Sequence, residues 1–329
     1  MREVWSRGGL RAGVLALLAG AAAPAVPASA QETVQEMAAE CAAAQPQLMP
    51  LCLEGVLALQ AARGGIGLAA SQGTPVPGST STLGRRLGST PRVALSLRGG
   101  LTRVGMPDPR AGDAPADERT FWAPAIEGAV TVGMTDGVSL LPTVGGVFSL
   151  DLLGSLTVMG MSDGAGFRGL VQGVGYGARL GLLRESFTLP GVSVSVTRRH
   201  LGDVEWGEAG TDRAHGVVRT TVTSVRAAAG KDFLAFGIIG GWGWERYGGS
   251  TTLTVTQAAT SLTGEARSGD FTSDRRLFFG GLSYTFLVLQ LAAEGGLATG
   301  WEEVPERSDG GYDPTAGSIF GSLSGRLTL

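Results

Sequence analysis

Eight charged side chains stand singly on the polar side of segments whose opposite side is apolar: Arg98, Glu127, Asp151, Arg179, Arg226, Glu245, Glu294 and Arg326. Four are basic and four acidic, a balanced set. Ionised groups enclosed in a low-dielectric body persist only when paired or wetted. The set is therefore expected either to form a salt-bridge network that holds a narrow enclosure together or to line a gated polar path. The two histidines, His200 and His215, have carboxylates nearby in sequence at Asp203, Glu205, Glu208 and Asp212, and hydroxyls at Thr211 and Thr220. A histidine beside a carboxylate can act as a general-base pair, which leaves a hydrolase using His200 or His215 as an alternative. The run Arg198-Arg199-His200-Leu201-Gly202-Asp203 fits no hydrolase signature, and no catalytic residue is assigned.

Cys41 and Cys52 are not spaced as C-x-x-C and have no histidine nearby, which argues against a redox or metal pair. In an exported chain two close cysteines form one disulfide. The acidic stretch around Asp113, Asp117 and Glu118 lacks the alternating spacing of a calcium loop. Gly64-Gly65-Ile66-Gly67 follows a helical pattern rather than a strand, so it is not a phosphate-binding fingerprint. No metal or cofactor is expected.

The elements that would carry these residues alternate with a period of two. Ten strand-like segments are expected at 92–104, 120–134, 138–151, 168–184, 191–203, 217–230, 233–247, 275–285, 288–301 and 318–329. Leu95, Leu97 and Leu101 oppose Ser96, Arg98 and Thr102; Val174, Tyr176 and Leu180 oppose Gly173, Gly175 and Arg179; Ile238, Trp242 and Trp244 oppose Gly237, Gly241 and Glu245. The connections alternate between short (135–137, 186–191, 231–232, 286–287) and long (106–119, 152–167, 204–216, 248–274, 302–317). That rhythm, an even strand number and an alternation running to Leu329 predict an all-β, antiparallel, up-and-down transmembrane β-barrel. Twelve strands is the alternative, if 65–71 and part of 152–161 also span. Trp122, Trp242, Trp244, Tyr284 and Phe286 lie towards segment ends, where interfacial aromatics belong. A soluble sandwich would also alternate, but its solvent face would be rich in Lys and Glu. Here that face is Gly, Ser and Thr with single charges.

The N-terminus points to the same compartment. Arg2, Arg7 and Arg11 precede an apolar run from Val14 to Val26, and Ala28-Ser29-Ala30 fits a signal-peptide cleavage site. Residues 1–30 are thus expected to be removed near Ala30. The whole chain has 26 basic and 29 acidic residues, net −3; losing three Arg and one Glu leaves 23 and 28, net −5. Such a chain has no basic footprint for nucleic acid. The 54 glycines, far above average usage of about 7%, suit strands whose inward face must stay small.

Residues 31–63 read as helical, a short hairpin bent at Pro46 and Pro50 and stapled by Cys41 and Cys52; from Gly64 to about residue 90 the chain reads as irregular. The domains expected are therefore a signal peptide at 1–30, a disulfide-stapled segment at 31–90 that either plugs the lumen or sits in the periplasm, and a barrel at 91–329.

With its closing strand last, the chain resembles bacterial outer-membrane β-barrels. In that family the final strand, here 318–329, carries the signal for the assembly machinery. Strand number and length resemble the outer-membrane protease family, and the compact barrel resembles the small OmpA- and opacity-type proteins. Residues 50–95, helical then Gly/Ala-rich ahead of the first strand, resemble the plug of the fatty-acid and hydrophobic-compound transporter family. The first resemblance implies a bacterial outer-membrane protein in contact with lipid, and a monomer is expected. The last implies passive transport of small, hydrophobic solutes; the alternative is a sealed structural or adhesive barrel.

Overall fold

The computed structural model describes residues 33–85, 90–110, 116–139, 145–161, 163–268, 271–300 and 311–329. The expected signal peptide lies outside the described residues. In chain order the elements are α1 (Val34–Ala42), a 3₁₀ turn (Pro46–Leu48), α2 (Met49–Ser71), β1 (Val93–Pro107), β2 (Glu118–Thr135), β3 (Ser149–Gly160), β4 (Phe167–Arg168), β5 (Leu170–Leu183), β6 (Gly191–Leu201), β7 (Val204–Trp206), β8 (Ala214–Val218), β9 (Thr221–Phe233), β10 (Phe236–Gly248), β11 (Thr251–Gln257), β12 (Leu262–Ser268), β13 (Ser273–Phe286), β14 (Leu289–Ala298) and β15 (Ser318–Thr328).

Ten strands close a barrel in the order β1-β2-β3-β5-β6-β9-β10-β13-β14-β15, each antiparallel to the next. The seam joins first strand to last, Ala94 opposite Thr328 and Thr102 opposite Phe320. Of the two candidate extra strands, 65–71 is helix and 152–161 belongs to β3. The third strand corrects the sequence reading. It runs over Ser149–Gly160, not 138–151, and the connection 136–148 lies where a three-residue turn was expected. Asp136-Gly137 looks like a hairpin signal, but the ladder slips at Gly133 and Thr135 before β3 begins.

One end of the barrel has the connections 136–148, 184–190, 234–235 and 287–288; the other has 108–117, 161–169, 202–220, 249–272 and 299–317. The three shortest connections (184–190, 234–235 and 287–288) share the first end and the three longest (202–220, 249–272 and 299–317) share the second, which makes the first the periplasmic end and the second the extracellular end. The long loops are ordered in part: β4, β7, β8, β11 and β12 form a five-stranded antiparallel sheet beyond the outer rim, in the order β12-β11-β8-β7-β4.

Outward-facing Leu97 (63% exposed), Leu156 (64%), Leu282 (65%) and Leu323 (70%) would be untenable in water over so continuous a surface. In a bilayer they face hydrocarbon, and closure leaves no unpaired strand edge. Phe236 and Tyr284, ring centroids 5.1 Å apart, sit at the periplasmic end with Phe286. Trp122 and Trp242 are exposed towards the outer end, and Trp244 is half-buried under the guanidinium of Arg246 at 5.1 Å. Arg246 in turn grips Asp274 through two bonds of 2.9 Å, so charge resumes two residues beyond the last tryptophan. That transition marks the outer membrane boundary on β10.

The second helix, α2, enters the barrel, while α1 packs on the outer sheet. Thr33 and Glu36 form a capping box that starts α1, and Pro50 falls in the first turn of α2, where its missing N–H costs nothing. Cys41 and Cys52 are joined, with Cα atoms 5.8 Å apart. α1 and the first half of α2 pack against the outer sheet and the upper wall in one apolar cluster that includes Met37, Leu57, Phe121, Phe167, Trp206 and Leu253. α2 does not stop at residue 63; it continues through the glycines to Ser71. Glycine weakens a helix by about 1 kcal/mol each, but here it allows close approach to the wall. A Cβ on Gly65 would lie 2.5 Å from Val104, and one on Gly67 would strike the Tyr247 ring. By length and apolarity α2 could cross a membrane unaided, yet its polar Glu54, Gln60 and Arg63 are buried within the protein.

Candidate functional site: a charge-clamped plug in the bore

Below α2 the chain runs through the bore as an extended segment, residues 72–85, and every ionic cluster of the lower wall grips it. Gly73 turns the chain with φ +72°, a conformation open to glycine, and leaves no room for a Cβ beside Glu294. The Glu294 carboxylate accepts from the Thr74 N–H (2.7 Å), the Thr74 hydroxyl (2.5 Å) and the Gly78 N–H (3.3 Å). Arg98, on β1, donates to the carbonyls of Gln72 (2.6 Å) and Thr74, and lies 3.4 Å from Glu127 and 3.7 Å from Glu294. Glu127 is shared with Arg199 of β6 at 3.1 Å.

Lower down, Arg179 pairs with Asp151 at 2.6 Å and donates to the carbonyls of Ser79 and Ser81, both at 2.9 Å. Asp151 also accepts from the Leu83 N–H at 3.1 Å. Gln290 donates to the Gly78 carbonyl at 2.8 Å, and Arg326 donates to Gln290. At the periplasmic exit the Asp136 carboxylate accepts from the Arg85 N–H at 2.8 Å and from Arg184 at 3.3 Å. Those bonds, the backbone one first, hold Asp136 below the usual carboxylate range.

A further pair sits higher in the bore. Arg226 and Glu245 are 2.5 Å apart, Tyr247 donates to Glu245, and the Arg226 guanidinium lies 5.9 Å from the Phe279 ring centre. Inside α2, Arg63 donates to the carbonyls of Gly249 (3.0 Å) and Phe271 and to the Thr251 hydroxyl, with the Phe271 ring 4.9 Å away.

All eight charged residues singled out in the sequence are buried and face the bore. They do not form one network. Arg98, Glu127 and Glu294 make one group, Asp151 and Arg179 a second, Arg226 and Glu245 a third, and Arg326 bonds to Gln290. Arg199 and Arg63 were missed. Arg199 shares its face of β6 with Ser193, Ser195 and Thr197, all buried, and that alternation was the available signal. The histidines are not brought to a carboxylate among the described residues. His200 stacks on Tyr176 at 6.0 Å and lies 3.3 Å from the Thr221 hydroxyl; His215 stands opposite Thr254 in the outer sheet. No cluster of three or more metal-ligating side chains occurs among the described residues.

What the arrangement can do is fill space. Between plug and wall, a cavity of about 10 Å³ beside Pro75, Glu127, Ser155 and Arg199 has room for about one water. An open cavity of about 930 Å³ lies at the periplasmic mouth, bounded by Ser81, Leu83, Arg92, Arg184, Lys231 and Asp232.

No protein-family model matches the chain, and no curated protein matches it in sequence. Among solved structures it is similar to the outer membrane protease OmpT of Escherichia coli (10% identity, TM-score 0.39, covering 76% of this chain and 100% of that one). It is also similar to the toluene transporter TodX of Pseudomonas putida (9%, TM-score 0.30, 77% and 96%). A third is Ail, the attachment invasion locus protein of Yersinia pestis (8%, TM-score 0.27, 73% and 99%). With its closed ten-stranded antiparallel wall, apolar outside and polar inside, the chain has the fold of a small bacterial outer-membrane β-barrel.

Proposed function

We propose that this protein is a closed outer-membrane barrel that anchors an extracellular head made of the stapled hairpin and the five-stranded sheet, and that its work is structural or adhesive, done at the outer face. The observation that carries this reading is the clamped plug: residues 72–85 are bonded to Arg98, Asp151, Arg179, Gln290 and Glu294, which lie on four strands of the wall, β1, β3, β5 and β14. Buried ion pairs are costly to break, by several kcal/mol when one partner is lost, so the bore stays shut at rest. On this reading the signal peptide is cleaved near Ala30, β15 hands the chain to the assembly machinery of a Gram-negative cell, and the barrel is a monomer surrounded by lipid.

A second reading, gated passive transport, is favoured by the open cavity at the periplasmic mouth, which abuts the plug at Ser81–Leu83. Its cargo would be polar. The lower bore is lined by ionised and hydroxyl groups, which suits polar solutes better than the hydrophobic ones implied by the plug-like N-terminal sequence. The test is liposome swelling with small sugars and amino acids. The closed barrel gives no swelling above protein-free vesicles; swelling that depends on solute size would establish transport instead.

A further inference from the structure

The plug fixes the direction in which the chain passes through the wall. Along β1, Gly65 faces Val104, Gln72 faces Gly100, and the Gln72 and Thr74 carbonyls meet Arg98. Further on, Leu83 accepts from Arg92 at 3.5 Å, just before β1 begins, and Arg85 meets Asp136 in a periplasmic connection. Rising residue number in the plug therefore means descent from the long-loop end to the short-turn end. At the top, Gly55 packs on Leu253 and Gly264 lies against Cys41, both in the extracellular sheet. Thr33, Glu36 and Glu40 are exposed there.

A chain delivered by an N-terminal signal reaches the barrel from the periplasm, yet its first described residue lies at the outer end. We infer that the barrel carries its own N-terminal hairpin across the outer membrane and presents the start of that hairpin, at Thr33, at the cell surface. The disulfide closes α1 onto α2, making the hairpin two helices wide, whereas the bore below it holds one chain. The stapled head is then a stopper that prevents the segment from sliding back. This inference rests on the barrel orientation used for the proposed function, not on the bore being closed.

The experiment places a short epitope followed by a site-specific protease site immediately before Thr33, in the full-length protein expressed in its outer membrane. A second protein carries the same insert between Leu287 and Val288. Antibody and protease are added to intact cells and to permeabilised cells. The expected result is that the insert before Thr33 is labelled and cut on intact cells, at a level permeabilisation raises less than twofold, while the 287–288 insert responds only after permeabilisation. Labelling and cutting of the Thr33 insert only after permeabilisation would overturn the inference, as would reaction of the 287–288 insert on intact cells. Sugar flux measured on the same preparation separates this outcome from failure of the closed-barrel reading, since a conducting barrel with a surface-exposed insert would contradict only the latter.

Discussion

Arg179 ties wall to plug through its whole guanidinium: one edge on Asp151, the rest on the Ser79 and Ser81 carbonyls. Among the described residues, Arg179→Ala leaves the fully buried Asp151 carboxylate bonded to the Leu83 N–H alone. Loss of one partner of a buried pair costs about 3 kcal/mol or more. The expected outcome is a lower midpoint of unfolding in detergent or lipid and earlier proteolysis of residues 72–85. An unchanged midpoint would mean that water replaces the guanidinium there. The lumen face was legible at this scale because strand alternation sorts Arg98, Glu127 and Arg179 from their leucine neighbours. What Arg98 and Arg179 hold besides carboxylates was not legible: both donate to carbonyls of the plug, and a carbonyl leaves no trace in residue type. Arg199 was hidden inside an Arg-Arg-His run that drew attention to the histidine, and Arg63 inside a helix where no strand period could flag it.

Among the elements, the connection between β2 and β3 carries the exit tether. Asp136 accepts from the Arg85 backbone and from Arg184, and its depressed pKa means the charged form is favoured in the folded state. The sign follows: this tether contributes above the unfolded carboxylate pKa and is lost as pH falls through the lower, folded one. The pair is largely exposed, so the contribution is below about 1 kcal/mol. Hydrogen exchange of residues 80–85, corrected for intrinsic rate, should rise as pH drops below about 4, and Asp136→Asn should remove that step. Identical pH profiles for the two proteins would exclude Asp136 as the tether. The same region shows why element boundaries were only partly legible. Val138, Leu140 and Leu141 after an Asp-Gly pair imitate a strand, while true β3 contains adjacent apolar Leu152 and Leu153, of which Leu152 faces outward and Leu153 the bore. The end of α2 was misread because Gly64, Gly65 and Gly67 are poor helix formers in isolation, and only the enclosing wall makes their small size an advantage.

At the scale of the whole molecule, two layers of interior coexist: an apolar core above, built by the hairpin and the outer sheet, and a polar clamp below, built by Arg98, Glu127, Asp151, Arg179, Glu294 and Arg326 with Arg199, Gln290 and residues 72–85. The closed barrel, its ten strands and its outward leucines followed from sequence because a period of two leaves few alternatives. The path of the N-terminal segment did not, since either a plug or a periplasmic hairpin satisfies the same composition. Its threading is decided by side chains far apart in sequence, such as Thr74 with Glu294. The central claim is that this segment seals the bore, and single-channel conductance in a planar bilayer tests it most directly. Mature protein should be electrically silent, and protein lacking residues 31–90, shown to be folded by its heat-modifiable migration, should give discrete steps. Steps from the intact protein, or silence from the folded truncation, would contradict the account.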